Sequence, residues 1–304
     1  MKKILLATTL LSMSAGYAAA DIVWTGSATA GIAQNGTNNG GVADPNTYGK
    51  GDDEFLSYSS ATLAVAFSGQ TDGGLTFGAS FDVSGGVSYA LADDDGFEAK
   101  GAFDPSPSVF ISGSFGKITF STDNIDGFDG DEVDDGDYDV QYDGTFGAVT
   151  VGVEADLDTG LMAAKAGYST GALALAASYS QQNGAVDDIY DVSATYTIGV
   201  IAITAATDNL NDASLGVAYA GTNGISASAT YNTNTGSDEA SFDITGGYTA
   251  NGLSVAASVD NVSGVNGGDP HWTVTASYDL GGGLTVEAGT NYTQDVMVGA
   301  TMAF

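Results

Sequence analysis

One hairpin pattern repeats along this chain and limits what it can become. An alternating strand ends near a Tyr or Phe, a few Gly, Thr, Asn or Asp residues follow, and a second alternating strand begins. AFSGQTDGGLTFGASF (66–81) and FISGSFGKITF (110–120) are two cases; QYDGTFGAVTVGV, GYSTGALALAASY, TYTIGVIAIT, AYAGTNGISASATY, GYTANGLSVAASV and SYDLGGGLTVEAG complete eight. Turns of two to five residues rich in Gly or Asn are hairpin chemistry. Eight hairpins with one further strand at each end count eighteen strands. Longer, more polar connections alternate with the tight ones, near 35–53, 91–106, 122–137 and 261–270.

Within the strands the side chains alternate. Leu75, Phe77, Ala79, Phe81 and Val83 fall on one face, with Thr76, Gly78, Ser80 and Asp82 on the other. Val149, Val151 and Val153 oppose Thr150, Gly152 and Glu154, and Phe242 and Ile244 oppose Asp243 and Thr245. One face is apolar but light in bulk, and the other is small, polar or acidic. A soluble sandwich has a heavier inner face. Tyr142, Tyr168, Tyr196, Tyr219, Tyr248 and Tyr278 stand just before tight turns, with Tyr89, Tyr179 and Tyr231 near the opposite strand ends. Two aromatic levels around an apolar band are the girdles of a transmembrane barrel, where amphipathic rings suit the headgroup level. No apolar run past the leader approaches the ~18 residues of a spanning helix. Only a closed barrel then satisfies every backbone group in lipid. The expected fold is therefore all-β, a transmembrane antiparallel β-barrel with short turns on one side and longer loops on the other.

The first twenty residues read as a cleaved secretory signal peptide: Met1-Lys2-Lys3, an apolar run from Ile4 to Leu11, and Ala18-Ala19-Ala20 before Asp21. Residues 21–304 then form a single exported barrel domain. That domain sets 38 acids against Lys50, Lys100, Lys117 and Lys165, with no arginine. Such a balance excludes nucleic acid as a partner, because phosphate binding relies on Lys and Arg. The absence of cysteine excludes disulfides, thiolate metal sites and a Cys nucleophile.

The chain resembles the general porins of the Gram-negative outer membrane, of the alphaproteobacterial type. SGQTDGGLTFGASFDV (68–83), VFISGSFGKITF (109–120), ASYDLGGGLTVEAG (276–289) and the ending VMVGATMAF carry the resemblance. Phe304, with alternating Val296, Val298, Ala300 and Met302, is similar to the terminal signal that barrel-assembly machinery reads. The resemblance implies sixteen strands against the direct count of eighteen. It also implies a homotrimer, and a third long loop folded inward to narrow the pore. By chain order that loop is Thr122–Asp137. The family commonly sets basic side chains against this loop, and the chain departs from that pattern by lacking arginine.

On the loop the acids are Asp123, Asp126, Asp129, Asp131, Glu132, Asp134, Asp135 and Asp137, the expected pore constriction. By alternation, Asp82, Asp139, Asp143, Glu154, Asp191, Asp243 and Glu287 face the lumen. Rings of carboxylates favour cations, and low-dielectric walls focus their field. Against this stands the plain reading that a charge run is a solvated face. Lys165 is the one strand cation expected inside, either as the positive side of a transverse field or simply solvated. Carboxylates at this density suit Ca²⁺ through oxygen, although no EF-hand spacing is present. His271 lacks a spaced Ser or Asp partner, reads as an exposed loop-edge residue, and with no G-x-S-x-G, Walker or Rossmann pattern leaves no case for an enzyme. The expected function is a water-filled, cation-preferring diffusion channel for small hydrophilic solutes and ions in the outer-membrane lipid. The alternative is a structural or adhesive barrel whose acidic loops meet Ca²⁺ or an external partner.

Overall fold

The computed structural model describes residues 21–34, 55–91, 97–100, 107–122, 125, 128, 138–182, 188–210, 212–234, 239–261 and 270–304. The leader at 1–20 and all eight acids of the third long loop lie outside the described residues.

The chain begins with β1 (Asp21–Gln34), β2 (Phe55–Gln70) and β3 (Thr76–Tyr89). Next come β4 (Phe97–Lys100), β5 (Ser108–Gly113), β6 (Gly116–Phe120), β7 (Val140–Phe146) and β8 (Val149–Ala155). The middle holds β9 (Met162–Thr170), β10 (Leu173–Ser180), β11 (Ile189–Ile198), β12 (Ile201–Asp208) and β13 (Ala213–Ala220). The last part holds β14 (Ile225–Asn234), β15 (Glu239–Ala250), β16 (Leu253–Asn261), β17 (His271–Gly281), β18 (Leu284–Asn291) and β19 (Val296–Ala303). Each pairs antiparallel with its chain neighbour, except that β4 and β5 both pair with β3. Those two segments form one stave, so the barrel has eighteen staves. The direct count from tight turns holds, and sixteen does not.

Closure comes from β1 pairing with β19, Ser27 opposite Ala303 through Gln34 opposite Val296. The terminal residue completes this seam: the Phe304 amide donates to the Gly26 carbonyl at 2.9 Å and the Gly26 amide to the Phe304 carbonyl at 2.6 Å. A Cβ at Gly26 would lie 2.3 Å from the Phe304 ring, so the glycine lets that exposed ring lie against the strand. With both end strands paired, the sheet of described strands closes on itself and removes the open edge.

The period of two separates the faces. Ile22, Trp24, Phe77, Val192, Tyr196, Ile244, Tyr248, Tyr278 and Val298 stand exposed on the outer surface, as a lipid-facing band requires. The opposite face encloses the lumen. One girdle assignment is corrected: Tyr89 turns inward. Gly86 has φ of 108°, a left-handed conformation in which a Cβ would lie 2.2 Å from the Ser59 carbonyl oxygen. Beyond it Val87 and Tyr89 pack with Tyr58 on the lumen side, whereas Phe77, before it, faces out.

Tyr58 is held by a notch in the adjoining wall. Gly31 and Gly299 are directly opposite each other, and a Cβ on either would come within 2.5 and 2.1 Å of the Tyr58 hydroxyl oxygen. Gly299→Ala must push this buried ring aside and is expected to cost about 1–3 kcal/mol. A lower temperature for conversion of the compact to the unfolded gel band would register it; an unchanged temperature would mean the notch is slack.

Candidate functional site

Side chains on the lumen face line up in rows set by strand register. One row runs Lys117, Asp143, Gly152, Lys165, Ser178, Asp191 and Asp208, each directly opposite the next on neighbouring strands. A second runs Thr230, Asp243, Asp260 and His271 across β14 to β17. Asp82 and Glu287 share the inward face elsewhere in the barrel, opposite Ala64 and Gly299.

These rows contain two pairs of carboxylates placed directly opposite each other, Asp191 with Asp208 and Asp243 with Asp260. Like charges in that position repel. The donors seen on them are neutral. The Ser178 hydroxyl donates to Asp191, and the Asn232 amide nitrogen donates to Asp243 Oδ2 at 2.8 Å. The Leu210 and Asp212 amides donate to Asp208 Oδ1 at 2.9 and 2.8 Å. Glu287 accepts from the Thr301 hydroxyl at 3.3 Å. Asp208 and Asp260 escaped the sequence reading. Each closes an alternating strand, IAITAATD and LSVAASVD, and extending the alternation by one residue would have found them.

Lys117 also faces inward from the start of β6, with its ammonium 5.0 Å from the centroid of the Phe110 ring. His271 is corrected too. It is the first residue of β17, half-buried on the lumen face, and its ring stacks on Tyr292 at 4.0 Å and 5°. Asp139 sits at the long-loop rim, where Oδ2 accepts from the Leu157 amide at 2.7 Å, so its carboxylate closes a loop. In that same loop Asp156 accepts from the Thr159 hydroxyl and from the amides of Thr159 and Asp158. The Thr159 hydroxyl and amide hold the Asp156 carboxyl below the ordinary carboxylate range, against the opposing effect of burial. A depressed value means that this contribution is complete above the ordinary range and is lost only as pH falls through the lowered one.

The third long connection, between β6 and β7, touches the inner wall at two described residues. Ile125 packs with Tyr138 and Ala163, and its carbonyl accepts from the Tyr138 amide at 3.1 Å. Phe128 is clasped twice. Its amide donates to Glu154 Oε1 at 2.7 Å, and its ring lies under the Lys165 ammonium at 3.7 Å from the centroid. Gly152 makes room, since a Cβ there would lie 2.7 Å from the Phe128 ring. Glu154 is 0 % exposed. It faces inward but anchors the loop and does not meet solute. Lys165 thus stands over Phe128, on the wall where that residue is clasped. Among the described residues no three His, Cys, Asp or Glu side chains converge as a metal cluster.

A family model described as Gram-negative porin matches residues 7–297. No curated protein matches the chain. Among solved structures, an engineered mutant of the Rh. blastica porin aligns with a TM-score of 0.56 at 16 % identity, covering 93 % of this chain and 100 % of that one. A triple mutant of the Rhodopseudomonas blastica porin aligns over the same shares with a TM-score of 0.55 at 17 % identity. At such identities the structural likeness concerns the fold, a barrel traversed by a lumen. With the family model spanning nearly all of the sequence, the chain belongs to the Gram-negative porin family.

Proposed function

We propose that this protein conducts small hydrophilic solutes through the outer membrane with a preference for cations. As a Gram-negative porin it is a non-enzymatic outer-membrane diffusion channel. The observation that carries the cation preference is the pair of opposed carboxylate couples, Asp191–Asp208 and Asp243–Asp260. Mobile cations entering the lumen relieve that repulsion, while anions meet it undiminished. The loop acids Asp123, Asp126, Asp129, Asp131, Glu132, Asp134, Asp135 and Asp137 add to the same field in this proposal. The chain anchors of their loop, Ile125 and Phe128, support it by lying on the lumen wall.

In a planar bilayer under a KCl gradient, stepwise currents with a cation-signed reversal potential are expected. Anion preference would overturn the electrostatic reading, and a lack of conductance would favour a structural or adhesive barrel. Converting the acids of 122–137 to Asn or Gln is expected to reduce the cation-to-anion permeability ratio by roughly half or more. An unchanged ratio would remove the loop from the constriction. A chelator that alters the current would support Ca²⁺ at the loop acids; an unaltered current would discard it.

Export through a leader at 1–20 and assembly as a homotrimer belong to the same proposal. Ala30, Ser57, Ser59 and Ala61 form a patch of small, partly polar residues on the otherwise apolar outer face of β1 and β2, which gives a neighbouring barrel room to approach closely. Chemical cross-linking that stops at three copies is the expected result, and a ladder ending at one would exclude it.

A further inference from the structure

A second segment enters the lumen from the long-loop rim, on a different wall from Phe128. Leu91 lies two residues beyond the end of β3, yet its carbonyl accepts from the Asn291 amide nitrogen at 2.6 Å. Asn291 ends β18, so Leu91 reaches past β2, β1 and β19 to meet it. Its side chain fills the space above Gly289, where a Cβ would lie 3.0 Å from Leu91 Cδ1. Asn291 is itself fixed: its side-chain oxygen accepts from the Thr293 hydroxyl at 2.7 Å and the Asp295 amide at 3.0 Å, and its nitrogen also donates to Asp295 Oδ2 at 2.8 Å.

Around Leu91 the inner wall is closely packed. Tyr58, Tyr89 and Phe97 join it and Ala33 in one buried cluster, with Leu56, Val87 and Met297 against its edge. The rings interlock, Tyr58 to Tyr89 at 5.9 Å and Tyr89 to Phe97 edge-on at 4.7 Å. Leu91 is 6 % and Phe97 4 % exposed, although both stand inside a channel. The packing carries a cost, because the hydroxyls of Tyr58 and Tyr89 are buried without a hydrogen-bond partner among the described residues.

We propose that Tyr58, Tyr89, Leu91 and Phe97 form a second restriction element, an apolar wedge that sets the size limit of the pore. The proposal rests on the diffusion-channel reading above. Seated on β18, β19, β1 and β2, the wedge leaves solute two arcs of wall between itself and the loop clasped on β8 and β9. The narrower arc is β3, the shared stave of β4 and β5, β6 and β7. The wider arc is β10 to β17, and it carries both opposed carboxylate couples. The wedge thus steers solutes against the acidic wall, so one element excludes by size and directs by position. Being uncharged, it acts on cross-section and leaves the field in place.

The test combines Leu91→Ala with Phe97→Ala and reads single-channel conductance and liposome swelling in sugars of rising size. Conductance is expected to rise about 1.5-fold, with faster entry of the larger sugars and an unchanged reversal potential, because only the cross-section changes. Unchanged conductance in a correctly folded double variant, judged by heat-modifiable migration, would overturn the wedge. Should the double variant not fold, Leu91→Ala alone decides in the same two assays. A smaller rise in conductance with faster entry of the larger sugars is expected, and unchanged conductance in a folded single variant would overturn the wedge equally. A wild-type protein that never conducts would instead sink the channel reading itself.

Discussion

Arginine in place of Ile244 is expected to lower the stability of the folded barrel by about 2–4 kcal/mol, the cost of a cation near the bilayer midplane on a barrel's lipid face. Ile244 is mid-strand in β15 and 55 % exposed, with Phe242 and Tyr248 on the same outer face. Exposure to water would make such a substitution nearly neutral, so the size of the loss reports the solvent. The adjacent Thr245 provides the control. It points inward, between Ser228 and Ser258 on the neighbouring strands. Thr245→Arg is expected to fold like the wild type and to weaken cation preference, because it places a guanidinium two residues from Asp243 on the lumen face. Urea unfolding in lipid vesicles, followed by gel migration, compares the two. Equal tolerance at both positions would mean the outer face does not meet lipid.

That contrast between adjacent residues is also the measure of what the sequence made legible. A period of two and eight short turns were enough to place Ile244 outside and Thr245 inside, and to count eighteen staves. Those features are local, and each strand's inward and outward sets follow from its neighbours by register. Wherever one residue breaks the period, the reading fails. Gly86 does so through its positive φ and sends Tyr89 into the lumen. The opposed couples were half visible: Asp191 and Asp243 sit mid-pattern, while Asp208 and Asp260 stand at strand ends where the alternation stops being tested. His271 reads from its neighbours as a strand-start residue exposed at a loop edge; it does start β17, but half-buried on the lumen face and stacked on Tyr292. The contact of Leu91 with Asn291 spans most of the chain and exists only once the barrel closes. No window of sequence contains it.

Glu154→Ala is expected to release the third loop from the wall without unfolding the barrel. The Phe128 amide would lose a charged acceptor at 2.7 Å, a bond worth about 1.5–3 kcal/mol. A loss of that size raises the detached population roughly ten- to a hundred-fold. Single-channel records should then show each channel flickering between two current levels, against one steady level expected of the wild type. Glu154→Gln keeps an oxygen acceptor for the amide and is expected to flicker less. Phe128→Ala removes the ring under Lys165 and the contact above Gly152, so it should reproduce the flicker with Glu154 intact. Lys165→Met separates the two halves of the clasp: it deletes the cation over the ring but leaves the amide bond to Glu154. Flicker in the Glu154 and Phe128 variants with a quiet Lys165→Met channel would assign the anchoring to the amide–carboxylate bond, as its burial indicates. Quiet records from all of them would mean that Ile125, packed on Tyr138 and Ala163, holds the loop alone.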